Sequence, residues 1–441
     1  MAVRVGGQRS RRQERGRRGR YRPRVSSHPG QGAGTRGTGT AREVFATFLR
    51  LGLTSFGGPV AHLGYFRDAF VVRRRWLGEA AYADLVALCQ FLPGPASSQV
   101  GMAIGLRRAG VRGLLAAWAG FTLPSAVLLV AFAYGVLAVG PTAGAGWLAG
   151  LEAAAVAVVA QAVLGMARTL TPDLRRAVLG ALAAAATLLA PLAGLPVALA
   201  QVGVIVLAGA AGLLWLRRHD GARDAGAADP FPVPVGRRAA VACLMVFAAL
   251  LVALPLLAAV TGDGTARLAD LFYRAGSLVF GGGHVVLPLL QAETVPTRLV
   301  ADDQFLAGYG AAQAVPGPLF TLAAYLGAVT TSGPTGVVGA AVALVAVFLP
   351  SGLLVVGALP FWERLRRAPG ARRALAGVNA GVVGLLAAAL YDPVLTQGVL
   401  GAREPLLALA VAAAAFVALV RWAAPPWAVV LAAGLLGWWV L

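Results

Sequence analysis

Two arginines stand inside apolar stretches, where a charge is costly. Arg50 and Arg274 each lie two residues before a glycine and six before a phenylalanine, in segments almost free of other charges. An arginine at the centre of a membrane helix costs about 3 kcal/mol on insertion scales. Two guanidiniums offer forked N–H donors that match a tetrahedral dianion. We therefore take both arginines as candidate anion ligands, with snorkelling to the membrane surface as the alternative.

The motif Phe-Gly-Gly begins six residues after each arginine. Because glycine reaches backbone conformations that are closed to other residues, it lets the chain approach a ligand closely. For a single copy, close packing of two helices is an equally good interpretation. The occurrence of two copies favours a binding role for the glycines, which are Gly57, Gly58, Gly281 and Gly282.

A second motif, Pro-Gly-Pro, interrupts an apolar run in each half of the chain. Proline removes a backbone donor and clashes with the preceding turn, so the helix must break there. A break at membrane depth is tolerated only against protein or a wet cavity, and the new helix start presents amides that suit an anion. The predicted binding residues around the two motifs are Gln90, Pro93, Gly94, Pro95 and Ser97, then Gln313, Pro316, Gly317 and Pro318.

Four further polar side chains have two interpretations. Gln90 and Gln313 can donate to an oxyanion while staying neutral. Glu152 lies in an apolar run, where burial favours the protonated carboxyl, and His284 follows the second glycine motif. We take Glu152 and His284 as candidates for proton coupling. Structural hydrogen bonds between helices are the alternative for all four.

The motifs belong to a duplicated unit. The Phe-Gly-Gly copies are 224 positions apart and the Pro-Gly-Pro copies 223. Residues 121–125 match residues 347–351, and the segment around Glu152 matches the segment around Asn379. Four matched landmarks in the same order are a strong repeat signal, whereas one glycine pair would be a weak one.

Composition places this repeat in a membrane. With 58% hydrophobic and 13% charged residues and a mean hydropathy of +0.75, the chain is no ordinary soluble globule. Continuous apolar runs of roughly 20 residues favour helices over barrel strands, so the predicted fold is an all-α polytopic transmembrane bundle. The runs cover 44–60, 83–106, 113–139, 146–167, 175–193, 196–216, 237–261, 267–291, 305–330, 335–360, 374–391, 404–420 and 424–441.

Loop arginines give the orientation, because basic residues in short loops stay cytoplasmic. Residues 73–75 break the pattern unless the first two runs of each repeat are re-entrant. Thirteen crossings, or about nine with four re-entrant segments, both stay open. Either way, an odd number of crossings separates equivalent elements, which predicts inverted repeats, a feature of secondary transporters. The predicted parts are a disordered extension 1–43, a first repeat 44–216, a cytoplasmic linker 217–236, a connecting helix 237–261 and a second repeat 262–441.

Several functions are disfavoured. The net charge of +20 lies largely in the first 43 residues and beside the apolar runs, so we interpret it as topological and expect no nucleic-acid partner. We find no nucleophile with its base, metal motif or phosphate loop, and predict no enzyme, cofactor or metal. Cys89 and Cys243 lie in apolar runs and imply no disulfide framework.

The duplicated motifs, together with Arg73-Arg74-Arg75-Trp76-Leu77 and Gly377-Val378-Asn379-Ala380, resemble the chromate ion transporter family in its long, two-domain form. The similarity runs from about residue 44 to 392 and beyond. It implies a bacterial inner-membrane, multi-pass protein that exports chromate and gives chromate resistance. The family usually has an asparagine after the first Pro-Gly-Pro, where this chain has Ala96, and the second copy has Leu319. Sulfate or another oxyanion therefore stays open as cargo.

Other function classes also stay open. The same helix breaks would shape a passive anion pore or a structural membrane subunit, and an intramembrane enzyme is disfavoured by the missing catalytic dyad. The expected partners are an oxyanion and the lipid bilayer. The sequence does not set the oligomeric state, the coupling ion or the direction of transport.

Overall fold

The computed structural model describes residues 39–56, 58–143, 145–194, 197–216, 235–279, 286–362 and 368–441. These residues form sixteen α-helices and no β-strand, which confirms the all-α prediction. Most of the predicted extension and linker lies outside the described residues. So do four of the predicted site residues, Gly57, Gly281, Gly282 and His284.

Seven helices make up the first half. They are α1 (Ala41–Thr54), α2 (Gly58–Arg67), α3 (Glu79–Phe91), α4 (Ala96–Ala143), α5 (Ala145–Leu170), α6 (Leu174–Leu189) and α7 (Val197–Trp215). The second half contains α8 (Arg237–Thr261), α9 (Gly264–Leu278), α10 (Val286–Thr294), α11 (Asp302–Ala314), α12 (Leu322–Val329), α13 (Gly336–Ala358), α14 (Pro369–Ala389), α15 (Pro405–Arg421) and α16 (Pro426–Val440). A distorted, π-helical segment, Leu390–Leu400, follows α14.

The helices break at the motifs, as predicted from the prolines and glycines. In the first half α1 ends before the Phe-Gly-Gly motif and α3 ends two residues before Pro93. In the second half α9 and α11 end at the equivalent places. The 14 residues of α1 are about 21 Å long at 1.5 Å per residue, against a hydrocarbon core of about 30 Å. None of these four apolar runs is therefore a single continuous spanning helix.

Other helical stretches are long and apolar enough to cross a bilayer. Among the described residues they are Ala96–Ala138, which turns at Gly110, and Gly146–Arg168, Arg237–Thr261, Gly336–Phe361 and Pro369–Leu400. Shorter apolar helices accompany them at Ala200–Trp215, Leu319–Val329, Pro405–Arg421 and Pro426–Val440. This set makes the chain a multi-pass membrane protein.

A tight helical hairpin follows each Pro-Gly-Pro motif. Gly105 and Gly113 would be about 12 Å apart on a straight helix, yet a Cβ on Gly105 would contact the Gly113 carbonyl oxygen. Helix α4 therefore doubles back, with Gly110 at a φ of +63° in the turn. Gly327 of α12 and Gly339 of α13 make the same contact in the second repeat.

Short helices α1 and α9 pack against these hairpins. A Cβ on Gly52 would lie 2.7 Å from the Gly120 carbonyl oxygen of α4. A Cβ on Gly276 would contact the Val347 carbonyl oxygen of α13. The glycine that follows each arginine is thus a packing residue, and it holds the short helix so that its broken end meets the centre of the molecule.

Candidate functional site

Each Pro-Gly-Pro turn binds the broken helix of the opposite repeat. The Gly94 N–H donates to the Val279 carbonyl oxygen at 2.6 Å, and the Gly317 N–H donates to the Ser55 carbonyl oxygen at 3.0 Å. Ser55 and Val279 are equivalent residues, 224 positions apart. These two hydrogen bonds form a matched pair. They bring the breaks of both repeats to one place, which we call the junction.

The two motif glycines lie at positive φ, 116° for Gly94 and 110° for Gly317. A Cβ on Gly317 would lie 2.8 Å from the Ser125 hydroxyl oxygen, and a Cβ on Gly94 would contact the Ser351 hydroxyl oxygen. Both serines end the third repeated landmark. The single glycine of each turn is therefore required for two reasons, its backbone conformation and its close approach to a serine of the opposite repeat.

Buried hydroxyl groups are concentrated around the junction. Ser55, Thr122 and Ser351 have no exposed surface, and Ser98 has 3%. Their four hydroxyl oxygens have no hydrogen-bond partner among the described residues. Because a buried polar group without a partner costs about 1–3 kcal/mol, such a cluster is a favourable place for a polar guest or water.

His62 connects this cluster to the start of α4. The imidazole is 1% exposed, with Nε2 3.2 Å from the Ser55 carbonyl oxygen and Nδ1 3.4 Å from the Ser97 hydroxyl oxygen. A carbonyl only accepts, so the neutral ring carries its proton on Nε2 and accepts from Ser97 at Nδ1. Ser97 lies in the first turn of α4, beside amides that have no helical partner. This arrangement fixes the ring between the helix break and the helix start.

The two predicted arginines have different surroundings. The Arg274 Nε and Nη2 atoms donate to the Asp270 carboxylate at 2.9 and 2.8 Å, and Nη1 donates to Glu293 at 3.0 Å. Asp270 is 6% exposed. Arg50 is exposed, and no ion pair of its guanidinium is found within the described ranges. Two carboxylates therefore more than offset the charge of Arg274 and leave the cluster negative, while the charge of Arg50 is available.

The remaining predicted residues are dispersed. Pro95, Pro316 and Pro318 are buried with their motif glycines, and Pro93 is half-buried. Gln90 is exposed on α3. Gln313 is half-buried, and its Nε2 is buried with no partner in the described part of the chain. Gly58 has a φ of +75° at the start of α2.

The proton-coupling candidate Glu152 lies in α5 and is partly buried. Its repeat counterpart, Asn379, has a buried Oδ1 with no partner in the residues described. Neither side chain belongs to the junction cluster.

The sequence analysis assigned no binding role to five polar residues of the junction, Ser55, His62, Thr122, Ser125 and Ser351. Ser125 and Ser351 were recognised only as landmarks of the repeat. A usable signal was present, because each of the five is a polar residue in or beside a helix break or a repeated motif within an apolar segment. Together with the amides that start α4, these groups can hold a guest by many hydrogen bonds without a formal charge.

Comparison with known proteins gives a consistent picture. The family model described as Chromate transporter matches residues 42–214 and again 266–438. The chromate transport protein of Pseudomonas aeruginosa is 31% identical over 418 residues, which cover 90% of this chain and 92% of that relative. The chromate transport protein of Cupriavidus metallidurans is 27% identical, with 80% and 82% covered. An uncharacterized transporter of Methanocaldococcus jannaschii is 25% identical, with 79% and 83% covered. No solved structure matches the chain.

Proposed function

The chain belongs to the chromate transporter family, and on that premise we propose that it is a secondary transporter that exports chromate across the bacterial inner membrane and gives chromate resistance. The two-fold family match supports chromate as the cargo. The long apolar helices support a position within a bilayer.

The observation that carries the proposal is the junction, where the breaks of both repeats meet around unpartnered buried hydroxyls. Chromate is a tetrahedral dianion with four oxygens that accept hydrogen bonds. The hydroxyls of Ser55, Ser98 and Ser351 can donate to it, and the amides at the start of α4 add a positive dipole end. In this proposal the glycines of the Phe-Gly-Gly motifs allow the backbone to approach the anion closely.

Positive charge comes from the arginines in the same proposal. Arg50 is available to attract the dianion. Arg274 can act on the anion only by leaving Asp270 and Glu293, which now share its donors. The two guanidiniums therefore have unequal roles in binding, with Arg50 the primary one.

Alternating access follows from the inverted arrangement that we propose for repeats 44–216 and 262–441. The matched hydrogen bonds at Gly94 and Gly317 link the repeats. Rocking of one repeat against the other would open the junction to one side and then to the other. The linker 217–236 and helix α8 are the parts that allow two fused repeats to be oppositely oriented.

The proposal also includes proton coupling, with Glu152 and His284 as the candidate proton carriers. The carboxyl of Glu152 lies in a spanning helix, where a neutral glutamine is the closest replacement. We expect Glu152→Gln to make chromate flux insensitive to an uncoupler while flux itself persists. Flux that falls equally with the uncoupler in both proteins would remove Glu152 from the coupling step.

Labelled chromate and sulfate flux into everted vesicles, with and without an uncoupler, tests the whole proposal. We expect saturable chromate accumulation that collapses when the gradient is dissipated. Flux that only equilibrates chromate would identify a passive pore. Preference for sulfate would reassign the cargo, and a chemically altered product would indicate an enzyme.

A further inference from the structure

A second polar cavity lies between α6, α7, α10, α11 and α14. Its volume is about 220 Å³, and its polar lining consists of Thr187, Gln201, Gln291, Asp302 and Asp392. None of the described residues that line it is basic. None of these five side chains belongs to the junction cluster, so the cavity is distinct from the site proposed for the anion.

Gln291 is the residue that indicates a ligand here. Its side chain is 4% exposed, and neither Oε1 nor Nε2 has a hydrogen-bond partner among the described residues. Burying a whole amide group without a partner is costly, and native structures rarely do so. The cavity wall that it forms therefore needs a polar occupant.

The backbone around the cavity favours positive charge. The last turns of α6 and α10 contribute Thr187 and Ala292 to the wall, and Ala388 lies where α14 passes into the distorted segment Leu390–Leu400. Helix C-termini carry a partial negative charge. Helix α11 starts at the cavity with its positive end, but its first residue, Asp302, supplies a full negative charge there.

Asp392 marks a break in the neighbouring helix. Its φ of −125° and ψ of 117° are non-helical, inside the otherwise helical segment Leu390–Leu400. A residue in this conformation interrupts the helical hydrogen-bond ladder. Carbonyls of interrupted helices coordinate sodium ions in secondary transporters. The carboxylate of Asp392 lies at the same cavity.

From this lining we propose that the cavity binds a monovalent metal cation, of which sodium is the first choice. The wall offers the carboxylates of Asp302 and Asp392 and the amide oxygen of Gln291. The Asp392 carboxylate also accepts from the Thr396 hydroxyl at 2.9 Å. Such oxygens suit a hard cation. Since one water fills about 30 Å³ in the liquid, the cavity has room for an ion with several of its waters. A divalent ion fits less well, because the described residues contain no group of three or more His, Cys, Asp or Glu arranged for a metal.

The test is sodium binding to the purified full chain without any oxyanion, so its outcome is independent of the cargo. We expect saturable binding of radioactive sodium, and a melting temperature that rises with sodium chloride but not with choline chloride of equal ionic strength. Asp392→Asn and Gln291→Leu should each weaken sodium binding about tenfold or more, by loss of one ligand.

Glu79→Gln is the matched control, because Glu79 is an exposed carboxylate paired with Arg67 outside the cavity. It should bind sodium as the unmodified chain does. Asp392 is exposed, so its neutral amide should be tolerated even if the buried Gln291→Leu variant fails to fold. An equal response to sodium and choline, or unchanged sodium affinity in Asp392→Asn, overturns the proposal.

Discussion

The two repeats share one scaffold and differ in the chemistry that they bring to the junction. At equivalent places the first repeat carries buried polar residues and the second carries buried apolar ones, Ser55, His62 and Ser97 against Val279, Val286 and Phe320. The backbone contacts, in contrast, are the same in both. Duplication thus preserved the helix breaks, while the ligand groups became concentrated in one copy.

The second repeat has its own polar feature in a different place. Asp270, Arg274 and Glu293 form an ion cluster beside α9. At the positions equivalent to the two carboxylates the first repeat has Ala46 and Ala69. We infer that the first repeat supplies most of the hydrogen bonds to the guest, joined by Ser351 of the second repeat, and that the second repeat supplies a wall held by ion pairs.

The largest expected effect comes from disrupting the Pro-Gly-Pro turns, whose backbone contacts are the same in both repeats. Gly94→Ala and Gly317→Ala each place a methyl group against a serine of the opposite repeat at a positive φ. The conformational strain alone costs about 1–3 kcal/mol, and the contact adds to it. We expect both variants to lose chromate flux and to melt at lower temperature.

Gly110→Ala is the control for those two variants, since its φ is +63° but no atom lies within 4 Å of an added Cβ. The Gly110→Ala variant should melt at lower temperature because of its backbone strain and should keep most of its chromate flux. Loss of flux in Gly94→Ala together with normal flux in Gly317→Ala would show that the two halves of the junction are not functionally equivalent.

The next largest expected effect distinguishes the roles of the two arginines. Arg274→Gln leaves Asp270 and Glu293 facing each other without a cation, which should cost about 3 kcal/mol of folding stability, the low end for a buried pair because Arg274 is partly exposed. Arg50→Gln removes an exposed side chain and should change stability by no more than about 0.5 kcal/mol. Chromate efflux should be lost in both, for different reasons. Thermal unfolding and vesicle flux distinguish them, and normal efflux in both variants would refute a charge role.

The smallest expected effect tests the difference in polar residues between the two repeats. His62→Val gives the first repeat the valine that the second has at residue 286. Removing a hydrogen-bonding group that orders the site around a charged guest costs about 1.5 kcal/mol, so KM for chromate should rise about tenfold. Flux measured over a range of chromate concentrations gives this value.

Ser277→Ala is the comparison within the second repeat, because that buried hydroxyl donates to the Tyr273 carbonyl oxygen at 2.7 Å. It should cost about 1 kcal/mol of stability and leave KM unchanged. Equal rises in KM for His62→Val and Ser277→Ala would remove the assignment of binding to the first repeat.

The helix breaks were predictable because their cause is local. Each motif places two prolines within three residues, which removes two backbone donors at once, and both helices do end two residues before the first proline. A lone proline is tolerated, as Pro255 in α8 and Pro350 in α13 show. The all-α class followed from hydropathy in the same way. The hairpin at Gly110 was less visible, since a single glycine in an apolar helix has several uses.

The junction contacts were not predictable because they join distant parts of the chain. Gly94 pairs with Val279, and His62 with Ser97, through the tertiary fold. One of the two ion pairs in the cluster was predictable from the sequence. Asp270 is four residues before Arg274, a spacing that favours an ion pair on a helix, whereas Glu293 meets Arg274 only because α10 packs against α9.

Each Pro-Gly-Pro turn donates its backbone hydrogen bond to the opposite repeat, so each repeat needs the other to complete its hydrogen bonds. If the gene were cut between α7 and α8, each fragment would hold one backbone donor and one backbone acceptor with nothing to satisfy them in hydrocarbon. Such fragments would persist only when produced together and in equal amounts. Covalent fusion thus guarantees the stoichiometry that the interlocked architecture demands.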